Sequence, residues 1–142
     1  MSADDLTVND YPLAEKRPEL VRGARGKRFE DVTLQALVEG SVSLEDLRIT
    51  SQALRQQAAI ARSAGRSTLA INFERAAELV SVPQDVIMRT YELLRPGRAS
   101  SKEVLLSAAA ELRDKFKATA MADFVAEAAE IYEKRGLFSR RY

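Results

Sequence analysis

Helix start and stop signals recur along the chain from Thr33 onward, and they constrain the fold more than any other feature. Residues that favour helix N-caps stand before most of the apolar stretches with a period of 3.6 residues, and glycine or proline follows most of these stretches. No segment alternates in the manner of a strand between two turns. The sequence therefore predicts an all-α fold. The longest stretches predict five main helices, over about 51–65, 67–80, 83–94, 100–116 and 118–135.

Two shorter turns and an N-terminal arm precede these helices. Thr33 is placed to cap the first turn, and Ser43 with Asp46 has the spacing of a capping box at the start of the second. Residues 1–28 contain two prolines and two glycines and show no sustained helical period. We therefore predict an extended N-terminal arm at 1–28 and a single helical domain at 29–142.

Apolar residues at helical spacing predict which face of each long helix is buried. In the first long helix they are Leu54, Ala58 and Ala61. In the second they are Leu69, Phe73, Ala76 and Val80. In the last they are Met121, Phe124, Ala128, Ile131 and Tyr132. A capping box of Ser100 and Glu103 is predicted to start the helix at 100–116.

The chain contains no histidine, cysteine or tryptophan. This composition removes the commonest general base near neutral pH, the thiol nucleophile and the soft ligands of a zinc site, and it excludes disulfides. Glu74 with Glu78, and Glu127 with Glu130, share a helix face, but di-metal bundles combine such glutamates with histidine. We interpret these pairs as solvated faces and interface salt bridges. We therefore predict no catalytic, cofactor-binding or metal-binding residue in this chain.

The charge distribution argues against a nucleic-acid binder. Residues 1–28 hold six basic and five acidic side chains, and residues 29–142 hold sixteen of each. Phosphate binding needs a basic face, which a body with balanced charge lacks. Either an anion contact or a solvated loop explains the small basic cluster of the arm, and we favour the loop. The members of this basic cluster are Arg22, Arg25, Lys27 and Arg28.

Composition also indicates the compartment. No apolar run approaches the ~20 residues that a membrane span needs. The N-terminus lacks the apolar segment of a secretory signal. In the absence of cysteine, we expect a cytoplasmic protein.

Several stretches, in order along the chain, resemble the motifs of one known family. They are DYPLA at 10–14, PE at 18–19, DLRIT at 46–50, NFERAAEL at 72–79, VP at 82–83, LRP at 94–96, and FV with Tyr132 in the last helix. Together they extend from residue 10 to about residue 135. By these motifs the chain resembles the small subunit of propanediol and glycerol dehydratases.

This resemblance implies an assembly of large, medium and small subunits, present as a dimer of heterotrimers. The assembly removes water from 1,2-propanediol or glycerol by a radical mechanism and yields the aldehyde. Adenosylcobalamin lies between the large and medium subunits, and the large subunit holds the diol and its metal ion. The small subunit packs mainly against the large one, and the resemblance implies no catalytic group or bound cofactor on it.

The arm is expected to lie across the large subunit, because a Tyr-Pro-Leu segment outside any helix has little reason to be buried within this chain alone. Aromatic and arginine side chains often anchor such interfaces. The predicted interface residues are Asp10, Tyr11, Pro12, Leu13, Phe73, Arg75, Arg95 and Pro96. The alternative is that Tyr11 and Leu13 cover the chain's own core.

Two other functions stay open at this point. A free-standing helical interaction module would share every physical feature above, and the break at Gly65 between two helices suggests a helix-turn-helix nucleic-acid binder. Only nine residues precede Asp10, whereas family members encapsulated in bacterial microcompartments often carry a longer extension there. We therefore expect no clear targeting extension on this chain.

Overall fold

The computed structural model describes residues 5–138, so the outermost parts of both predicted ranges, 1–4 and 139–142, lie outside the described residues. The fold is all-α, as predicted, and the described residues contain no β-strand. The chain divides into two compact units, Met1–Val80 and Ser81–Tyr142. This division does not coincide with the boundary that we predict after residue 28.

All five main helices are confirmed, and so are the two short turns. Thr33 and Thr50 each cap a helix, because their hydroxyl oxygens accept hydrogen bonds from Ala36 N–H at 3.1 Å and Ala53 N–H at 3.0 Å. The fourth long helix starts one residue later than predicted, with Ser101 rather than Ser100 as its N-cap. The helices are α1 Leu13–Lys16, α2 Leu34–Val38, α3 Leu44–Leu47, α4 Ser51–Ser63, α5 Ser67–Leu79, α6 Gln84–Leu94, α7 Lys102–Phe116 and α8 Thr119–Lys134.

The N-terminal arm is less extended than the sequence indicates. Besides α1, it forms 3-10 turns at Val8–Asp10 and Pro18–Leu20. A turn of three or four residues is too short to show a helical period, so the sequence pattern misses it. Leu6 and Leu13 from the arm are buried together with Ala59 and Ile60 of α4, and this cluster attaches the arm to α4 within the first unit.

The first unit is built on the packing of α4 against α5. Ala58 and Ala61 of α4 are buried with Ala70 of α5, and Phe73 packs against this cluster. Small side chains at this contact allow the two helices to approach closely. Gly65 adopts a φ of +73° between them, which favours glycine because a Cβ is disfavoured in that conformation.

The second unit is built on the packing of α7 against α8. Leu105, Leu112 and Val125 are its largest fully buried side chains. Lys102 at the start of α7 pairs with Glu130 and Glu133 at the end of α8, each at 2.8 Å. The end of α8 is also joined to α6 through a hydrogen bond from the Tyr132 hydroxyl to the Leu94 carbonyl.

The predicted core faces of α5 and α8 are wrong in part, although Phe73 of α5 packs against the core as predicted. The structure buries Ala70 and Ala77 of α5 and leaves Leu69 and Val80 substantially exposed. In α8 the large predicted core residues Phe124 and Ile131 are similarly exposed. The residues that α8 buries are Ala122, Val125 and Ala129. Both helices carry apolar residues on a broad arc, and close packing against a neighbouring helix selects the small ones.

Candidate functional site

One glutamate of each pair on a helix face forms a salt bridge within the chain. Glu74 accepts a hydrogen bond from Arg62 of α4 at 2.5 Å, and Glu130 pairs with Lys102. Among residues 5–138, no group of three or more acidic side chains is placed to hold a metal ion. The absence of catalytic and metal residues stays a prediction, and the candidate site is a binding surface.

An open groove of about 430 Å³ lies in the first unit between the arm and the helices α4 and α5. Tyr11 of the arm and Phe73 of α5, two of the predicted interface residues, both line it. Val8 and Leu69 add to its apolar wall, and Arg66 contributes a cation. The groove is therefore mostly apolar, with an aromatic side chain at its edge that is 60% exposed.

A polar brace holds the arm in this position. The Asp10 carboxylate accepts a hydrogen bond from Thr7 N–H at 2.9 Å and pairs with Arg17 at 3.2 Å. The hydrogen bond from Thr7, together with the guanidinium of Arg17, lowers the pKa of Asp10. Asp10 therefore closes the turn that precedes Tyr11. Its predicted contact with a partner stays a prediction.

The position of Leu13 contradicts part of the argument that the arm lies across the large subunit. It lies inside α1, is only 6% exposed and packs in the cluster with Leu6 and Ile60. The premise that this segment lies outside any helix and away from the chain's own core is therefore wrong for Leu13, whereas Tyr11 is free to contact another molecule. Pro12 is half-buried and precedes α1.

The remaining predicted interface residues lie apart in the chain. Arg75 is half-buried on α5, with Nη1 3.5 Å from Asn72 Oδ1. Arg95 and Pro96 belong to the second unit and are exposed in the turn after α6, where Arg95 pairs with Glu92 at 3.1 Å. Their role at an interface stays a prediction.

A group of exposed aliphatic side chains lies on α2, on α3 and at Ile49 beyond α3, and the sequence analysis missed it. We call it the α2–α3 face. Its six residues are Leu34, Leu37, Val38, Leu44, Leu47 and Ile49. A usable signal is present in the sequence, because helices of four or five residues are too short to bury a full apolar stripe, yet these two are rich in leucine and valine.

An ion pair between the buried Asp46 carboxylate and the half-exposed Arg25 guanidinium anchors this segment to the arm. The Asp46 side chain is completely buried, and its Oδ1 accepts a hydrogen bond from Arg25 Nε at 2.9 Å. Arg25 also contacts the other carboxylate oxygen and, at 3.4 Å, the Ser41 carbonyl. Asp46 further accepts from Ser43 N–H at 2.9 Å, which confirms the predicted capping box. Arg25 thus acts as a structural clamp and not as part of a solvated loop.

We expect an Asp46→Asn variant to unfold at a lower temperature than the parent protein at neutral pH. Hydrogen bonds from Arg25 and Ser43 lower the pKa of Asp46 from 3.8 to about 2. Because the pKa of Asp46 is lower in the folded state than the unfolded-state value of about 4, its ionised carboxylate stabilises the fold at pH values above about 4. This stabilisation is lost as pH falls through about 2. The difference in unfolding temperature between variant and parent should therefore be constant above pH ~4 and should narrow towards pH ~2.

Thermal unfolding followed by circular dichroism over this pH range measures the difference. The exposed Asp114 provides a matched control, because its change to Asn alters the same chemical group outside the clamp. A difference that stays constant down to pH ~2 would show that the ionised Asp46 carboxylate does not stabilise the fold.

Among residues 5–138, no helix is long and apolar enough to cross a membrane.

The sequence profile of the family described as dehydratase small subunit matches residues 6–139, nearly the whole chain. The chain therefore belongs to the dehydratase small-subunit family, in agreement with the resemblance.

Two curated relatives have a more specific name than the family. The chain is 50% identical to the propanediol dehydratase small subunit of Salmonella typhimurium strain LT2 over 128 residues, which are 90% of this chain and 73% of the relative. It is 48% identical to the propanediol dehydratase small subunit of Citrobacter freundii over 134 residues, which are 94% of this chain and 77% of that relative.

Proposed function

We propose that this chain is the small subunit of a dehydratase that converts 1,2-propanediol or glycerol to the corresponding aldehyde. The observation that carries the proposal is the identity of about half of all aligned residues with two propanediol dehydratase small subunits. The chain's contribution is to bind the other subunits of the enzyme. Large and medium subunits are its partners, the large one mainly, in a dimer of heterotrimers.

The cofactor in this proposal is adenosylcobalamin, and it is held by the large and medium subunits. When bound, it supplies the radical chemistry that removes water from the diol. This chain offers no imidazole or thiolate to a cobalt ion, since it has no histidine or cysteine. Its own residues therefore act on assembly: Asp10 and Arg17 brace the arm, and Arg25 and Asp46 hold the α2–α3 face.

The comparisons favour a subunit over a free-standing interaction module, because both relatives are named as subunits of one enzyme. A helix-turn-helix nucleic-acid binder gains no support from the helices around Gly65. Arg62 of α4, one of the basic side chains there, is paired with Glu74 of α5. The proposed location is the cytoplasm, free or within a bacterial microcompartment that another subunit would direct.

Co-purification tests the proposed function. The tagged full-length chain is co-expressed with the reading frames that neighbour its gene, and mass spectrometry identifies the retained chains. We expect a large and a medium dehydratase subunit, with turnover of 1,2-propanediol or glycerol only when adenosylcobalamin is added. Recovery of the chain alone as a stable monomer, with no turnover in the mixture, would instead support the interaction module.

We expect a Tyr11→Ala variant to retain roughly tenfold less of the large subunit, because an exposed aromatic anchor in an interface contributes on the order of 1–2 kcal/mol. Its own stability should change by no more than about 0.5 kcal/mol, since the side chain is mostly exposed. Tyr91 of α6, which is 57% exposed, provides a matched control as Tyr91→Ala. Unchanged assembly and activity in Tyr11→Ala would remove Tyr11 from the interface.

A further inference from the structure

We propose that the groove between the arm and the helices α4 and α5 seats a segment of another dehydratase subunit in which an apolar side chain stands beside a carboxylate, and that Arg66 pairs with this carboxylate. The inference rests on the proposed function and deepens it, because it names the chemistry of the partner's segment and the residue that selects it. Its evidence is the apolar wall of the groove, the unpaired polar groups along it and its open form.

One face of each of two adjoining helices lines the groove. The residues lie three, four or seven positions apart within each helix, and such spacings place side chains on one face. They are Gln57, Ile60, Ala61 and Ala64 from α4 and its C-terminal cap, and Leu69 and Phe73 from α5. Ile60 and Ala61 are buried, whereas Leu69 is 39% exposed and Val8, from the arm, is 49% exposed. This chain therefore leaves part of the apolar wall uncovered.

The polar side chains of the groove have no partner within the described chain. Among the described residues that line the groove, Arg66 carries the only charge. Within residues 5–138 its guanidinium forms no ion pair, and the Gln57 carboxamide forms no hydrogen bond, whereas the nearby Arg62 is paired with Glu74. Arg66 is also the N-cap residue of α5, where a cation is unfavourable because it meets the positive end of the helix dipole. Its charge therefore does not stabilise the fold of this chain, and an anion from a partner complements it.

These features define the occupant. A carboxylate matches the fork of the guanidinium with two parallel hydrogen bonds, and an apolar side chain beside it matches the wall. A protein segment fits better than a small molecule, because small-molecule sites enclose most of the ligand's surface and this groove is open, with Tyr11 and Arg66 exposed along it. The family and both relatives are described as small subunits, which indicates that a subunit of another kind supplies the segment.

The test is co-purification of the full-length tagged chain, co-expressed with the large and medium subunits, as an Arg66→Glu variant. We expect a loss of the other subunits of about tenfold or more, because the change brings like charges together. Arg66→Lys keeps the charge and should stay within about threefold of the parent. The unfolding temperature of isolated Arg66→Glu should not fall, since an acidic residue is favourable at the start of α5. The matched control is Arg55→Glu, the same charge change at an exposed residue of α4 outside the groove, which should retain the other subunits as the parent does.

A second pair of variants tests the apolar wall. Leu69→Ser should lose the other subunits by about tenfold. Ile71→Ser changes a residue of the same helix that is 40% exposed but lies two positions away, on a different face, and it should retain them. Between about 0.1 M and about 1 M salt, the difference between the parent and Arg66→Glu should shrink, whereas the difference between the parent and Leu69→Ser should persist, because salt screens charges and does not weaken an apolar contact.

Retention of the other subunits by Arg66→Glu or by Leu69→Ser at the level of the parent would overturn the inference and leave the proposed function standing. Equal losses in Arg66→Glu and Arg55→Glu would also overturn it, because the net charge and not the groove would then be responsible. A parent chain that is dimeric alone, with a monomeric Arg66→Glu variant, would identify a second copy as the occupant and overturn the choice of another subunit. A parent chain that retains no dehydratase subunit would overturn the proposed function itself.

Discussion

A Leu105→Ala variant is expected to lose about 2–5 kcal/mol of free energy of unfolding, the range measured for leucine-to-alanine changes in well-packed cores. Leu105 lies on α7, is 0% exposed and is among the largest fully buried side chains of the second unit. Its truncation removes apolar burial and leaves a cavity that the α7–α8 contact cannot fill without moving. Denaturant unfolding of the isolated chain, followed by circular dichroism, measures the loss.

Leu106 provides the matched control on the same helix. It is the next residue and is 38% exposed, so its truncation removes less burial and leaves no enclosed cavity. We expect Leu106→Ala to cost no more than about 1 kcal/mol. Equal costs for the two variants would mean that the α7–α8 contact does not form the core of this unit.

A Gly23→Ala variant is expected to destabilise the first unit by about 1–3 kcal/mol, the cost of overpacking a close contact. A Cβ at this position would lie 2.5 Å from the Asp46 carbonyl oxygen, which is a backbone atom and cannot move aside as a flexible side chain can. Either the arm or α3 must therefore shift, and the pairing of Arg25 with Asp46 shifts with it. Because that pairing holds the α2–α3 face, we also expect reduced retention of the other dehydratase subunits.

The control for this variant is Gly26→Ala in the same loop. Gly26 has a φ of +82°, so alanine there is strained by about 1–2 kcal/mol, but the added Cβ meets nothing within 4 Å. We expect Gly26→Ala to lose stability and to keep its partners. Parent-like stability in Gly23→Ala would show that the arm and α3 can separate without cost.

The short helices show which structural features a local sequence pattern predicts and which it does not. Thr33 and Ser43 cap helices where the sequence indicates, because a cap is a contact over three residues. The same pattern says nothing about where α2 and α3 face. The attachment of α3 to the arm involves Arg25 and Asp46, which are 21 residues apart in the chain.

The predicted interface illustrates the same limit. Tyr11 and Phe73 are 62 positions apart in the sequence, and only the folding of the arm onto α4 and α5 brings them to one groove. Leu13, two residues from Tyr11, is drawn into the core by the same folding. Neighbouring residues in one motif thus have different environments, which the motif alone does not distinguish.

The sequence by itself determined the all-α class, the five main helices, the caps of the two short turns and membership of the dehydratase small-subunit family. These features depend on local hydrogen bonding, on the helical period and on motifs read in order. Tertiary structure decided which faces of α5 and α8 are buried, whereas Leu54, Ala58 and Ala61 of α4 are buried as the sequence predicts. Close packing against a neighbouring helix selects Ala122 and Ala129 of α8 over Phe124 and Ile131, and an ion pair between Arg25 and Asp46 attaches α3 to the arm. Both outcomes depend on contacts between distant residues, which no local pattern records.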